Sequence, residues 1–138
     1  MKKVAGMIFE NDKKQILLLL RDNKPNIPFP NTWDMIGWHV EDDETFEEAL
    51  VREVQEEIEI DLKQQEYTFF REYFCPSTKD AYENIKHIYY GKINIPVEEI
   101  RLHEWQRVQY FDYDEIMGLE CANMTKEIFL EYMNATKI

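Results

Sequence analysis

Residues 15 to 21 read Gln-Ile-Leu-Leu-Leu-Leu-Arg, with no polar residue between Gln15 and Arg21. Side chains alternate across a strand, so a face in water would show a polar residue at every second position. An unbroken apolar run therefore predicts a strand inside a sheet that is covered on both faces. Residues 3 to 9 predict a second strand, joined to the first as a hairpin by the polar turn from Glu10 to Lys14. A sheet covered on both sides requires layers above and below it, and that requirement governs the reading of the rest of the chain.

Residues 45 to 58 predict a helix. Thr45 and Glu48 stand at capping-box spacing, and Phe46, Leu50, Val54 and Ile58 recur every four residues. Between the hairpin and this helix, Pro25, Pro28 and Pro30 mark residues 22 to 31 as a loop leading into residues 33 to 40. Residues 67 to 74 and 85 to 95 predict aromatic-rich strands around a polar connection at 76 to 84, with Pro96 ending the second. A short strand at 108 to 111, a short helix at 113 to 118 and a final helix at 125 to 133 complete the order. Ile128, Phe129 and Tyr132 of that final helix face inward. The order predicts an α/β fold, a mixed sheet with helices on both faces, as one domain over residues 1 to 138.

Charge narrows the function. With 28 acidic against 16 basic residues the net charge is −12, and no basic stripe offers a nucleic-acid polymer a groove. A small phosphorylated substrate stays compatible with this acidity if bound cations invert the local field. The plain alternative is that the acidity serves solubility. No apolar run approaches the roughly 20 residues of a membrane helix, and charges interrupt the apolar start at once, which predicts a protein without membrane partner or export signal. Cys75 and Cys121 have no metal-type spacing and are too few for a disulfide framework. They fit a reducing, cytoplasmic compartment.

The helix at 45 to 58 carries an anomaly. At about 100° per residue, Glu53 and Glu57 project inside the apolar arc and Glu56 lies just past its Ala49 edge, while Glu48, Gln55 and Glu59 point to solvent. Carboxylates three and four residues apart repel, and they sit near the negative end of the helix dipole. Desolvation raises that cost, so stability alone does not select the arrangement. A hard divalent cation would relieve it, and Gln at 56 or 57 would leave a metal-free fold as stable or slightly more so. The alternative is an ordinary solvated acidic helix in which Arg52 pairs Glu48 or Glu56.

The segment Gly37-Trp38-His39-Val40-Glu41, running into this helix, resembles the signature of the Nudix hydrolase family. That pattern is a glycine, five residues, Glu, seven residues, then Arg-Glu-apolar-x-Glu-Glu-x-Gly-apolar. Glu44, Arg52, Glu53, Val54, Gln55, Glu56, Glu57 and Ile60 fall in register, with Trp33 before and Val40-Glu41 after the glycine region. Trp38 stands at the signature's first glycine, Glu59 at its later glycine, and Ile36 where a proline is common. Glycines at such places supply positive φ or close backbone approach, so altered paths are expected for the loop and the helix C-cap.

The resemblance implies a Nudix-like α/β/α sandwich and metal-dependent hydrolysis of the pyrophosphate in a nucleoside diphosphate linked to X. It implies Mg²⁺ or Mn²⁺ held by Glu53, Glu56 and Glu57, with Glu44 and Arg52 orienting the set and Gly37, Trp38 and His39 meeting substrate. Such members often recruit a late glutamate, for which Glu98, Glu99 and Glu104 are available. Glu104, before Trp105-Gln106-Arg107, is preferred, and the catalytic set becomes Glu53, Glu44, Arg52 and Glu104. Trp33 and Trp38 either stack on a base or belong to the core. The expected partner is a small nucleotide, and a homodimer stays open. The rival classes are a nucleotide-sensing domain with little turnover and an acidic structural domain without metal. No GxxxxGK, GxGxxG, GxSxG or HExxH motif occurs, which removes the common rival phosphate, hydrolase and zinc readings.

Overall fold

A computed structural model describes residues 1–79, 81–122 and 124–136. Part of the 76 to 84 connection and the expected domain end at 138 lie outside the described residues. Strands β1 (Lys2–Glu10) and β2 (Gln15–Leu20) form the predicted hairpin, and Glu10 pairs with Ile16 across the turn. Short strands β3 (Trp33–Asp34) and β4 (Ile36–His39) follow, then helix α1 (Phe46–Ile58). After these come β5 (Tyr67–Cys75), β6 (Asn84–Lys92), β7 (Arg107–Asp112), helix α2 (Tyr113–Ile116) and helix α3 (Thr125–Ala135).

Among the described residues seven strands join in the order β3-β2-β1-β6-β5, with β4 on β1 and β7 on β2. The sheet is mixed: β1 and β6 run parallel from Lys2↔Asn84 to Glu10↔Lys92, and the other pairings are antiparallel. Strand β6 ends at Lys92 rather than at residue 95, because its partner β1 ends at Glu10 and turns away. Asn94 then accepts from the Asp12 amide at 2.9 Å and closes that turn.

The unbroken apolar run of β2 is explained by what covers it. Leu17 and Leu19 face α1 in a cluster with Leu50, Val54 and Ile58. Ile16 and Leu18 face the other layer, among Ile128, Phe129, Tyr132 and Met133 of α3. All four β2 side chains are within 1% of full burial, each worth about 1.5–3 kcal/mol relative to exposure. The α/β/α sandwich expected from the sequence is the architecture found.

Helix α1 begins as its sequence dictates. Thr45 accepts from the Glu48 amide at 3.1 Å, and Glu48 reaches back to the Thr45 amide at 2.9 Å. It ends on Glu59 in the left-handed region, φ 56°, ψ 43°. No helix among the described residues is long and apolar enough to cross a membrane.

Candidate active site

Strand β4 and helix α1 are tied together by their polar groups, beginning with Gly37. Its φ is +116°, and a Cβ there would lie 2.2 Å from the Ala5 carbonyl oxygen, so only glycine lets β4 close on β1. Pairing with Gly6 of β1 leaves the Gly37 amide pointing toward α1, where it donates to Glu57 Oε1 at 2.7 Å. Trp38, at the signature's glycine position, lies within β4 and has no positive φ. The backbone requirement belongs to Gly37, so Trp38 does not distort the path.

Arg52 organises the loop and the first acids. Its Nε and Nη2 donate to the two Glu44 carboxylate oxygens at 2.7 and 2.8 Å, and Nη2 also reaches the His39 carbonyl at 3.1 Å. Nη1 donates to Glu53 at 3.0 Å and to Glu56 at 3.2 Å. Those two bonds share one nitrogen, so the bonded Glu53 and Glu56 oxygens stand no more than about 6 Å apart. The hydrogen bonds from Arg52, followed by that from the Glu41 amide, bring the Glu44 carboxyl down to about 2. Paired donation of this kind fixes a carboxylate's plane as well as its charge.

Glu57 is 1% exposed and Glu53 8%, whereas Glu56 is exposed, which is the division that helix periodicity predicts. Burial pushes the Glu57 carboxyl up to about 8, against the hydrogen bonds from Trp105 Nε1 at 2.6 Å and from Gly37. Burial also raises Glu53, with Glu56 and Glu104 adding repulsion. The Glu104 charge adds to the repulsion on both Glu53 and Glu57, and Glu104 precedes Trp105, whose indole bonds Glu57. Glu98 and Glu99 sit on a separate 3-10 turn, Val97–Glu99.

Two residues at this site escaped the sequence reading. Arg21, which ends the apolar run, is 2% exposed, and its guanidinium lies between Trp38 and Trp105 at 4.4 and 4.7 Å from their ring centres. It donates to the Pro28 carbonyl and pairs with Asp34 at 3.5 Å. Trp105 takes φ 70° and places its indole N–H on Glu57. The available signal was a charge closing a fully buried strand, which must find partners inside. Trp33, by contrast, packs edge-on to Phe111 at 4.7 Å in the α3-side core, while Trp38 and His39 line a cavity. Burial, then the charges of Lys2, Lys86 and Arg21, keeps the His39 imidazole below its usual range.

Among the described residues no three His, Cys, Asp or Glu side chains already stand together as an ion-binding group. The donor set is nevertheless of the right chemistry, carboxylate oxygens suited to a hard divalent ion. Glu53 and Glu56 are held beside each other by Arg52 alone, so a cation competes with one guanidinium for two carboxylates.

A family model, NUDIX domain, matches residues 1–133. The chain belongs to this family. The NUDIX fold also emerges from solved structures. A MutT protein from Methanosarcina mazei aligns with TM-score 0.80 at 20% identity, covering 99% of this chain and 96% of that one. The NUDIX domain of NrtR from Shewanella oneidensis, solved with ADP ribose, aligns with TM-score 0.78 at 13% identity over 96% and 86%. Dihydroneopterin triphosphate pyrophosphohydrolase from E. coli aligns with TM-score 0.73 at 19% identity over 94% and 93%. No curated protein sequence matches the chain. Within the NUDIX domain, Glu44, Arg52, Glu53 and Glu56 form one hydrogen-bonded group around the guanidinium, and Glu57 lies behind it.

Proposed function

We propose that this NUDIX domain, residues 1 to 138 read as one unit, hydrolyses the pyrophosphate linkage of a nucleoside diphosphate joined to X. X is a further phosphate, as in a nucleoside triphosphate or an oxidised nucleotide, or a sugar. The observation that carries this reading is the crowding on α1: Glu53 and Glu57 are buried, Glu56 adjoins them, and Glu57 is pushed up to about 8. Such crowding costs stability in the chain alone and is relieved by a divalent cation. Glu53, Glu56 and Glu57 hold Mg²⁺ or Mn²⁺ in this reading. When bound, the ion supplies charge neutralisation at the pyrophosphate and acidifies an attacking water.

The chain's own groups do the remaining work. Arg52 and Glu44 fix the start of α1 against the His39 carbonyl and keep Glu53 and Glu56 facing one space. The Gly37 amide and the Trp105 indole hold the Glu57 plane. Glu104, exposed and acting electrostatically on Glu53 and Glu57, is the base that accepts a proton from water in this reading. A cytoplasmic, small-nucleotide enzyme follows from this reading.

A second reading is a nucleotide sensor with little turnover. It draws support from Glu57, whose two oxygens already accept from Gly37 and Trp105, leaving each only its second lone pair for an ion. Phosphate release from a panel of nucleoside triphosphates and nucleotide sugars, with Mg²⁺ and with Mn²⁺, separates the two. Metal-dependent turnover abolished by Glu56→Gln supports the hydrolase. Tight nucleotide binding without turnover in the parent chain supports the sensor.

A further inference from the structure

A cavity of about 560 Å³ is lined by Trp38 and His39 and, among the described residues, by none of the glutamate helix. That volume is typical of a small-molecule site. Among the described residues its walls hold three lysines, Lys2, Lys79 and Lys86, against one acid, Asp34. Asp34 is already neutralised, accepting from Thr125, from the Met35 amide and from Arg21. In a chain with 28 acidic residues, a cavity wall with this sign is opposite to the molecule as a whole.

Two groups in the wall lack the partners their chemistry requires. Lys86 is 9% exposed, and among the described residues its ammonium has no hydrogen bond or ion pair. Asn84 is 6% exposed; its Nδ2 donates to the Tyr82 carbonyl at 3.2 Å, which fixes the amide's orientation and leaves a buried Oδ1 with no donor. The two residues are i and i+2 on β6, so they share a face of the sheet, and Lys2 of β1 pairs alongside Asn84. A buried carbonyl oxygen without a donor costs free energy, and the Lys86 ammonium, at the end of a nearly buried side chain, opens on the cavity without an anion. One ligand bearing an anionic oxygen next to a hydroxyl satisfies both.

The aromatic side chains of Phe29, Trp38 and Tyr82 border the same space and suit the C–H faces of a sugar ring. Lys2 lies over the Tyr82 ring at 5.2 Å and keeps a second cation at the rim. Strand β4 joins this cavity to the acids, since His39 in the cavity wall bonds Arg52 through its carbonyl and Gly37, two residues earlier on the strand, bonds Glu57 through its amide.

We propose that this cavity is a subsite for an X group that is a polyol or sugar carrying its own phosphate or carboxylate. The anion sits on Lys86 and Lys2, and a neighbouring hydroxyl donates to Asn84 Oδ1. The inference rests on the pyrophosphohydrolase reading for the link between the two sites, and it selects among the X groups that reading allows. A neutral sugar would satisfy Asn84 and leave Lys86 bare.

Calorimetric titration of the full metal-free chain with glucose, glucose 6-phosphate, glucuronate and inorganic phosphate tests the subsite without turnover. The expected result is saturable binding of glucose 6-phosphate or glucuronate at least tenfold tighter than of glucose or phosphate. Which of the two binds tighter identifies the anion. Lys86→Met should weaken that binding at least tenfold and Lys86→Arg should restore most of it. Melting curves are expected to show the Met variant folded and no less stable, since Met keeps the nearly buried apolar stem and removes a charge that has no partner. Equal binding of glucose, or an unchanged affinity in Lys86→Met, would overturn the proposal. Lys86-dependent binding in a chain that hydrolyses no diphosphate would remove the hydrolase reading and keep the subsite. Hydrolysis of UDP-glucose and UDP-glucuronate at equal rates, unaffected by Lys86→Met, would do the reverse.

Discussion

At the scale of single residues, Gly37, Glu57 and Glu59 each have an environment that departs from what their type prefers, and each makes a measurable prediction. Gly37→Ala forces a Cβ into the Ala5 carbonyl at φ +116° and should destabilise the chain by about 3 kcal/mol or more, read by urea unfolding. Glu59 occupies the left-handed cap that the signature fills with glycine, held there by His103 at 2.9 Å. Glu59→Gly removes the Cβ conflict, and a higher melting temperature is expected. The C-cap geometry is thus that of a glycine even though the residue is not.

Glu57 predicts a pH dependence. Its folded pKa of about 8 lies above the 4.5 of the unfolded chain, so the fold prefers it protonated. Its contribution is full below about pH 4.5 and is lost as pH rises to about 8, on the order of 5 kcal/mol in the metal-free chain. His39, held below its usual range, works in the opposite sense, so the comparison must be with Glu57→Gln rather than between two pH values alone. Wild type should lose stability relative to that variant between pH 5 and 8; parallel profiles would contradict it. At pH 5 the variant should be the weaker by about 1–2 kcal/mol. Gln cannot accept both the Gly37 and Trp105 protons, so the expectation that Gln at 57 leaves the metal-free fold no weaker holds toward pH 8, where Glu57 has lost its own contribution, and not at pH 5.

At the scale of elements, α1 was legible nearly to the residue, because capping, four-residue periodicity and the misplaced glutamates all lie within one helix. Thr45→Ala should cost about 1 kcal/mol through loss of its bond to the Glu48 amide. The short β3 and β4 were not legible as strands, since β4 pairs through backbone groups around a glycine and carries no alternation. Arg52 predicts a sharper effect. Lys cannot hold Glu44 through two parallel bonds while also reaching Glu53, Glu56 and the His39 carbonyl. Arg52→Lys should lower metal-dependent hydrolysis at least tenfold while the far-UV spectrum stays unchanged.

At the scale of the whole molecule, the architecture was readable from β2 alone: five consecutive apolar residues need two covering layers, and α1 and α3 provide them. What the sequence did not display are arrangements that join distant segments. Arg21 between Trp38 and Trp105 is one, and the cavity with Lys86 and Asn84 beside Trp38 is another. Neither has a fixed spacing, because each is assembled by strand order rather than along the chain. The signature, being local, gave the acids; the sheet, being global, gave the pocket next to them.

All of these scales meet in one claim, that the acids of α1 are crowded because a divalent ion belongs among them. The most direct measurement is the melting temperature of the full chain titrated with Mn²⁺, in parallel with a Glu53→Gln, Glu56→Gln double variant. A saturable rise of several degrees is expected for the parent and almost none for the variant, both folded without metal. An equal response in the two proteins, or no response in the parent, would contradict it.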